Sequence, residues 1–210
     1  MERILFQGDS ITDVHRNRER DNSFGEGYAC MVAGRLGCRY PQKYQFFNKG
    51  ISGNRVVDLY ARWKKDCWNL KPDVISLLIG VNDVWHEIES QNGVDEQRFE
   101  KVYSMLIEDT LECLPGVKFI LMEPFVLHGT ATDEYWDYFA TEVAKRQNAV
   151  KRIAEKYNLP LLPLQEKFDA ALQQAPADYW LLDGVHPTAA GHSLIADAWI
   201  DFYQADTYDI

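Results

Sequence analysis

A serine near the N-terminus, an asparagine in the first half of the chain and an aspartate–histidine pair near the C-terminus could together perform acyl transfer. They are Ser10, Asn82, Asp183 and His186. A serine hydroxyl is a weak nucleophile, and an imidazole within hydrogen-bond reach can act as its base. An aspartate three residues before that histidine can fix the imidazole tautomer and stabilise the imidazolium. These residue types predict serine-dependent acyl transfer.

Acyl transfer also needs hydrogen-bond donors for the oxyanion of the tetrahedral intermediate. The backbone N–H of Ser10, the backbone N–H of Gly53 and the carboxamide of Asn82 could supply three such donors. Losing one donor typically costs about 3–4 kcal/mol of transition-state stabilisation. The chain contains no Gly-x-Ser-x-Gly segment, so the nucleophile elbow of the usual α/β-hydrolases is not the construction used.

Each of these residues, taken alone, has a purely structural alternative. Ser10 could belong to a turn or a helix N-cap, and Asn82 to a turn. Gly53 could simply make a turn with a positive φ. His186 could lie at a helix start, and Asp183 could be an ordinary surface carboxylate. Their joint appearance in one order along the chain favours the chemical interpretation.

The segments that would position these groups alternate between strand-like and helix-like patterns. Apolar runs predict strands at residues 3–6, 44–48, 74–79, 117–122 and 159–164. Helical faces are predicted from sets of mostly apolar residues at the 3.6-residue period: Tyr28, Met31, Val32, Arg35 and Leu36; Val56, Tyr60, Trp63 and Cys67; Phe99, Val102, Leu106, Thr110 and Cys113; Phe139, Val143, Val150, Ala154 and Tyr157; Leu194, Ile195, Ala198, Trp199 and Phe202. Residues 14–26 lack such a period and predict a loop.

Regular alternation of strands and helices predicts a three-layer α/β/α sandwich, with a doubly wound parallel sheet of about five strands in a single domain over residues 1–210. The C-terminal ends of parallel strands share one edge of the sheet, where open α/β sheets bind their ligands. Ser10, Gly53 and Asn82 each follow a predicted strand, and residues 183–187 precede the last helix. The predicted fold therefore brings these groups to one edge.

Composition excludes several classes of partner. The 210 residues carry a net charge of −10, which disfavours nucleic acid and anionic membranes. The first residues do not form a basic segment followed by an apolar one, and no apolar run approaches the roughly 20 residues of a membrane span. The four scattered cysteines show no paired metal or redox spacing. We expect reduced thiols, a cytoplasmic location, and neither a metal nor a cofactor.

Four short blocks resemble those of the SGNH (GDSL) hydrolase superfamily: G-D-S-I-T-D, N-K-G-I-S-G-N, G-V-N-D and D-G-V-H-P. The resemblance extends over nearly the whole chain. It implies a flavodoxin-like α/β/α sandwich and a metal-independent serine esterase. It also implies that Ser10 is the nucleophile, His186 the base and Asp183 the orienting acid, with Ser10, Gly53 and Asn82 forming the oxyanion hole.

Longer strings, including N-K-G-I-S-G-N-R-V-V-D-L-Y-A-R-W and D-G-V-H-P-T-A-A-G-H, are similar to those of the bacterial carbohydrate acetylesterases of this superfamily. This similarity implies removal of acetyl groups from carbohydrates, especially xylo-oligosaccharides, by a homo-oligomer. A thioesterase, arylesterase or lysophospholipase would keep the same catalytic residues. A carbohydrate-binding protein without activity is the alternative from another class.

Candidate substrate contacts surround the catalytic blocks: Asp9, Asn54, Arg55, Trp85 and Trp180. The tryptophans could stack on a sugar face, although packing in the core is the alternative. Arg55 could hydrogen-bond sugar hydroxyls or pair with Asp58. The arginines of residues 16–20 are predicted to be solvated, and His15, His86, His128 and His192 are assigned no chemistry.

Overall fold

Parallel strands form the centre of the molecule. The structure, a computed structural model, describes residues 1–20 and 22–205. Within these residues a five-stranded sheet has the order β2-β1-β3-β4-β5. Its strands are β1 (Glu2–Gly8), β2 (Tyr44–Asn48), β3 (Val74–Leu78), β4 (Lys118–Met122) and β5 (Leu161–Leu162). Every neighbouring pair is parallel, which confirms the predicted doubly wound sheet.

Helices cover both faces of this sheet. They are α1 (Ser10–Asp13), α2 (Tyr28–Arg39), α3 (Val56–Asp66), α4 (Val81–Ser90), α5 (Glu96–Cys113), α6 (Trp136–Tyr157), α7 (Leu164–Ala171), α8 (Ala177–Trp180) and α9 (Ala189–Ala205), with 3₁₀ turns at Trp68–Leu70 and Asp133–Tyr135. No helix of residues 1–20 and 22–205 is both long enough and apolar enough to cross a membrane.

The alternation of side chains along the strands builds two cores. Ile4 and Phe6 of β1 belong to one apolar cluster, together with residues of α2 and α9. Leu5, between them, belongs to a second cluster with residues of α3 and α5. Successive side chains of a strand point to opposite faces, so a strand buried on both faces is apolar throughout. In β3 all five residues are buried, and four of them are apolar.

The structure differs from the sequence prediction at the last strand and at one helical face. The strand predicted at residues 159–164 is reduced to Leu161–Leu162, because Pro160 and Pro163 on either side cannot donate hydrogen bonds to a ladder. On α3, Leu59 is fully buried, whereas Tyr60, which we predicted on the buried face, is 38% exposed.

Beyond the five predicted helical faces, the described part of the chain also forms α1, α4, α7 and α8. Helix α4 begins at Val81 with Gly80 as its N-cap, so Asn82 lies in a helix and not in the turn that we considered for it. Helix α7 begins inside the segment predicted as the last strand, and the four-residue α8 follows it. Helices α7 and α8 connect the sheet to the segment that carries Asp183 and His186.

Candidate active site

A tight turn presents Ser10 at the C-terminal end of β1. Asp9 is the N-cap of α1, and its Oδ1 accepts a hydrogen bond of 3.0 Å from the Ile11 N–H. Ser10 is therefore the first residue of this short helix, and its own N–H has no acceptor within the helix. A Cβ on Gly8 would lie 2.4 Å from the Leu78 carbonyl oxygen. Glycine is required there because β3 passes so close to the turn.

His186 and Asp183 complete a hydrogen-bonded chain with Ser10. The Ser10 Oγ lies 2.9 Å from His186 Nε2, and His186 Nδ1 lies 2.7 Å from Asp183 Oδ2. The other carboxylate oxygen, Oδ1, accepts from the backbone N–H groups of Val185, at 2.9 Å, and His186, at 2.8 Å. The backbone of this loop thus holds the carboxylate in place, and the carboxylate holds the imidazole.

Electrostatics within the chain favour the charged forms of both partners. The hydrogen bond to Asp183 raises the pKa of the His186 imidazole above its ordinary value, although partial burial opposes it. Burial alone would raise the pKa of the Asp183 carboxyl, but the hydrogen bonds from His186 and Val185 outweigh it and lower that pKa. An ionised carboxylate beside Nδ1 selects the tautomer whose Nε2 can accept the serine proton.

The candidate oxyanion donors lie in three segments of the chain: the start of α1, the loop between β2 and α3, and the start of α4. The Asn82 carboxamide, in the first turn of α4, donates to the Asn54 carbonyl oxygen at 3.1 Å, which fixes its orientation. Gly53 has a φ of +81°, a conformation that residues with a Cβ rarely adopt. Its two chain neighbours aside, no heavy atom of the described residues lies within 4 Å of where its Cβ would be. The Cβ side of Gly53 is therefore open to a substrate.

Two buried carboxyls lie in sequence next to two of these donors. Asp9 precedes Ser10, and burial raises its pKa to about 7. Asp83 follows Asn82 and accepts hydrogen bonds from the Val56 N–H at 3.1 and 3.3 Å, while burial raises its pKa as well. Asp9 is only 1% exposed and is not among the residues that line the adjacent cavity. The structure therefore places it behind the nucleophile, where it caps the helix.

A cavity of about 440 Å³ opens beside Ser10 and His186. Residues that the sequence did not single out as substrate contacts also line it: Ile11, Asp13, Val14, His15, Arg16, Arg18, Ser52, Leu182, Pro187 and His192. Most of these residues lie in segments without helical or strand periodicity, so no sequence pattern identified them as part of the site. The cavity is the natural place for the ester and the groups attached to it.

One prediction about the loop after α1 is wrong. We predicted solvated arginines at residues 16–20, but Arg16 is only 8% exposed. Its Nε donates to the Gly50 carbonyl oxygen at 2.8 Å, and Asp13 lies 3.9 Å from it. The loop therefore folds back onto the strand end that leads to Gly53. Arg16 is buried because its guanidinium joins these two segments.

His192 forms another part of the cavity wall. Its Nδ1 accepts a hydrogen bond of 3.3 Å from the Tyr28 N–H at the start of α2. Burial lowers the pKa of the His192 imidazole to about 4, and the nearby His186 contributes to this lowering. His192 is thus a neutral, structural histidine at neutral pH. Within residues 1–20 and 22–205, no cluster of three or more His, Cys, Asp or Glu side chains is placed to hold a metal ion.

Two of the predicted substrate contacts have structural partners. Asn54 Oδ1 accepts from Arg62 Nε at 2.7 Å. Arg55 Nε donates to Asp58 Oδ2 at 2.9 Å, and Arg55 Nη1 donates to the Asn92 carbonyl oxygen at 2.5 Å. The alternative pairing that we considered for Arg55 is the one in the structure. Both residues hold the loop that contains Gly53.

The two predicted tryptophans lie in different places. The Trp85 ring is 5.7 Å from the His186 ring, centre to centre, with a tilt of 48°. Trp85 therefore packs beside the base. The Trp180 indole N–H donates to the carbonyl oxygens of Ala171 at 3.1 Å and Ala175 at 3.2 Å. Neither tryptophan is among the described residues that line the cavity.

Comparison with known proteins identifies the class of this protein. The sequence model of the GDSL-like Lipase/Acylhydrolase family matches residues 6–194, and the chain belongs to that family. Consistent with the Ser10–His186–Asp183 geometry, it is a serine carboxylic-ester hydrolase. The resemblance to the SGNH (GDSL) superfamily, stated from the four sequence blocks, is thereby confirmed.

Particular relatives share nearly the whole chain. An acetylxylan esterase of Geobacillus stearothermophilus is 36% identical over 208 residues, which cover 95% of this chain and 92% of the relative. A crystal structure of an acetylxylan esterase from that organism superimposes with a TM-score of 0.87 at 34% identity, over 98% of this chain and 95% of the other. A putative GDSL-like lipase from Parabacteroides merdae gives a TM-score of 0.91 at 37% identity, covering 96% and 94%.

Proposed function

We propose that this protein removes acetyl groups from carbohydrates and that acetylated xylo-oligosaccharides are its substrates. The observation that carries the reaction type is the hydrogen-bonded chain from Ser10 through His186 to Asp183 at the mouth of the cavity. The substrate class is supported by the similarity to an acetylxylan esterase. One solved relative is described as an acetyl-xylooligosaccharide esterase.

The first half of the reaction forms an acetyl-enzyme. Ser10 Oγ attacks the acetyl carbonyl carbon, and His186 Nε2 accepts the hydroxyl proton. The resulting oxyanion is held by the N–H groups of Ser10 and Gly53 and by the Asn82 carboxamide. The intermediate then collapses, the bond to the sugar oxygen breaks, and the His186 imidazolium gives its proton to that oxygen.

The second half returns the enzyme to its starting state. A water molecule takes the position that the sugar oxygen has left, and His186 accepts its proton as the water attacks the acetyl carbon. The same donors hold the second oxyanion. Acetate leaves when Ser10 Oγ recovers the proton from His186.

Variants of the Geobacillus relative support these role assignments. Its structures include catalytic mutants in which a serine, an aspartate or a histidine is replaced by alanine. The aspartate and the histidine are three residues apart in that protein, as are Asp183 and His186 in this chain. The nucleophile, base and orienting acid proposed for this chain are residues of the same three types.

A cytoplasmic location and a homo-oligomeric assembly belong to the same proposal. The four cysteines are unpaired, and Cys38 and Cys113 are exposed. Free exposed thiols suit a reducing compartment. The net charge of −10 supports a partner that is neither nucleic acid nor an anionic membrane surface.

The test is acetate release from acetylated xylo-oligosaccharides by the wild-type protein and by Ser10→Ala. We expect release by the wild type and a loss of roughly 10⁴- to 10⁶-fold in the variant, since the nucleophile is gone. The far-ultraviolet circular dichroism of the variant should match that of the wild type. Near-wild-type turnover by a folded Ser10→Ala variant contradicts the mechanism.

Two comparison esters separate the alternatives. Hydrolysis of nitrophenyl acetate without release from the sugar would keep the catalytic residues and overturn the carbohydrate substrate. Efficient hydrolysis of nitrophenyl octanoate would favour a thioesterase, arylesterase or lysophospholipase. If a fluorophosphonate does not label Ser10, a carbohydrate-binding protein without activity becomes the better account.

A further inference from the structure

The cavity beside Ser10 has a wall whose charge opposes that of the protein as a whole. Within the described part of the chain, Arg16 and Arg18 line this cavity against one carboxylate, that of Asp13. The whole chain carries a net charge of −10. Neutral sugar hydroxyls and an acetyl group do not require a local excess of guanidinium groups. This positively charged wall therefore indicates that the substrate carries a further group, beyond the ester, that binds there.

A pair of hydrogen bonds holds Arg18 close to the oxyanion donors. Asp13 Oδ2 accepts from the Ser52 N–H at 2.9 Å and from Arg18 Nη2 at 2.6 Å. Ser52 directly precedes Gly53, and Asp13 ends the helix that Ser10 begins. The Arg18 guanidinium is thus two hydrogen bonds away from the backbone that would receive the ester oxygen.

Arg18 differs from Arg16 in having guanidinium N–H donors that are accessible to a ligand. The side chain of Arg16 is 4% exposed and is used to join two segments. The side chain of Arg18 is 53% exposed, and among the described residues Asp13 is its hydrogen-bonded partner. A guanidinium carries five N–H donors in a planar fork that matches a carboxylate. Several of the Arg18 donors remain for a ligand in the cavity.

We propose that Arg18 is a specificity residue that binds a carboxylate on the substrate. The preferred substrate is then an acetylated oligosaccharide that carries an acidic sugar, with its carboxylate near the acetylated position. Arg18 supplies a charged hydrogen bond to that carboxylate, while Asp13 keeps the guanidinium in place. This inference rests on the proposed function, because it names the substrate of the same site.

The test compares two acetylated uronic-acid oligosaccharides that differ in one group. One carries the free carboxylate, and in the other the carboxylate is converted to the primary amide. For the wild type we expect kcat/KM to favour the carboxylate by about tenfold, mainly through KM, as a partly exposed charged hydrogen bond allows. Raising the salt concentration should reduce this preference.

Variants of the loop after α1 test whether Arg18 is responsible for the preference for the carboxylate substrate. Arg18→Gln should bring the carboxylate-to-amide ratio close to one, and Arg18→Lys should give an intermediate ratio because it keeps the charge but loses the fork. Arg20→Gln is the matched control. Arg20 is exposed on the same loop and does not line the cavity, so this variant should keep the wild-type ratio.

The outcomes separate this inference from the proposed function. A wild-type ratio near one, or an Arg18→Gln variant that slows both esters equally, overturns the carboxylate subsite and leaves the acetylesterase standing. An equal loss of preference in Arg20→Gln also overturns it, because the effect would then come from general loop charge. Deacetylation of neither ester, together with none from neutral xylo-oligosaccharides, overturns both.

Discussion

Asp9 and Asp183 both interact electrostatically with the His186 imidazole, yet their surroundings shift their pKa values in opposite directions. The Asp183 side chain is 26% exposed and accepts hydrogen bonds from His186 Nδ1 and from two backbone N–H groups. Asp9 is 1% exposed, and its Oδ2 is buried without a partner among the described residues. The pKa of Asp183 is lowered by its hydrogen bonds, whereas burial raises the pKa of Asp9 to about 7.

The difference between Asp9 and Asp183 shows what allows a carboxylate to orient a histidine that acts as a base. Proximity alone does not, because burial raises the pKa of a carboxyl that has a hydrogen-bond donor on only one of its oxygens, as Asp9 has. Donors on both oxygens keep Asp183 ionised and turn it towards His186 Nδ1. Asp9 instead uses one oxygen for the N-cap of α1, which places Ser10. We therefore assign Asp183 to orienting the base and Asp9 to positioning the nucleophile.

The largest effect should come from removing the charge of Asp183. We expect Asp183→Asn to lower kcat by roughly 10³- to 10⁴-fold, because the amide favours the wrong imidazole tautomer. The measurement is the rate of nitrophenyl acetate hydrolysis. Asp9→Asn is the matched control, since it makes the same replacement at the other carboxyl.

The control should behave differently if one acid orients the base and the other positions the nucleophile. We expect Asp9→Asn to lower kcat less than about tenfold, because an asparagine also serves as an N-cap. Comparable losses in the two variants would contradict the distinction between them. Retention of activity by Asp183→Asn would remove Asp183 from the mechanism.

A smaller effect concerns stability as a function of pH. The folded-state pKa of Asp9, about 7, is raised from 3.8. The stabilisation that comes from holding its proton is therefore complete below pH 3.8 and is lost as the pH rises through about 7. Integrated over this range, the effect is on the order of 4 kcal/mol.

The measurement is the difference in the free energy of unfolding between Asp9→Asn and the wild type, followed from about pH 4 to about pH 8. Asparagine does not ionise, so this difference should move in favour of the variant as the pH rises. The slope is the informative quantity, because a buried amide adds an offset of its own. A difference that is constant with pH would show that Asp9 ionises normally in the folded protein.

Most of the sheet could be predicted because its strands are buried on both faces. Val74–Leu78 is apolar with a single serine, and a run of this length and composition is typical of a central strand in a parallel sheet. The last strand was harder, since Leu161–Leu162 is too short to have a pattern of its own. Helix α8, with four residues, could not be predicted from the 3.6-residue period for the same reason.

The proposed catalytic residues could be named from the sequence, but their environment could not. Ser10, His186 and Asp183 have distinctive types and order, and the topology brings them to one edge. The burial of Arg16 and the position of Arg18 depend on how the loop after α1 folds against residues 48–53. Those contacts are between distant segments, so no local pattern indicates them. The contrast between Asp9 and Asp183 likewise required their three-dimensional surroundings.

The most direct test of the mechanism is to trap the acyl-enzyme and locate its acetyl group. The wild-type protein and Ser10→Ala would be mixed with nitrophenyl acetate, quenched in acid, digested and analysed by mass spectrometry. We predict a single acetyl group on the peptide that contains Ser10 in the wild type, and none on the corresponding peptide of the variant. An acetyl group on a different residue, or undiminished turnover by Ser10→Ala, would contradict Ser10 as the nucleophile.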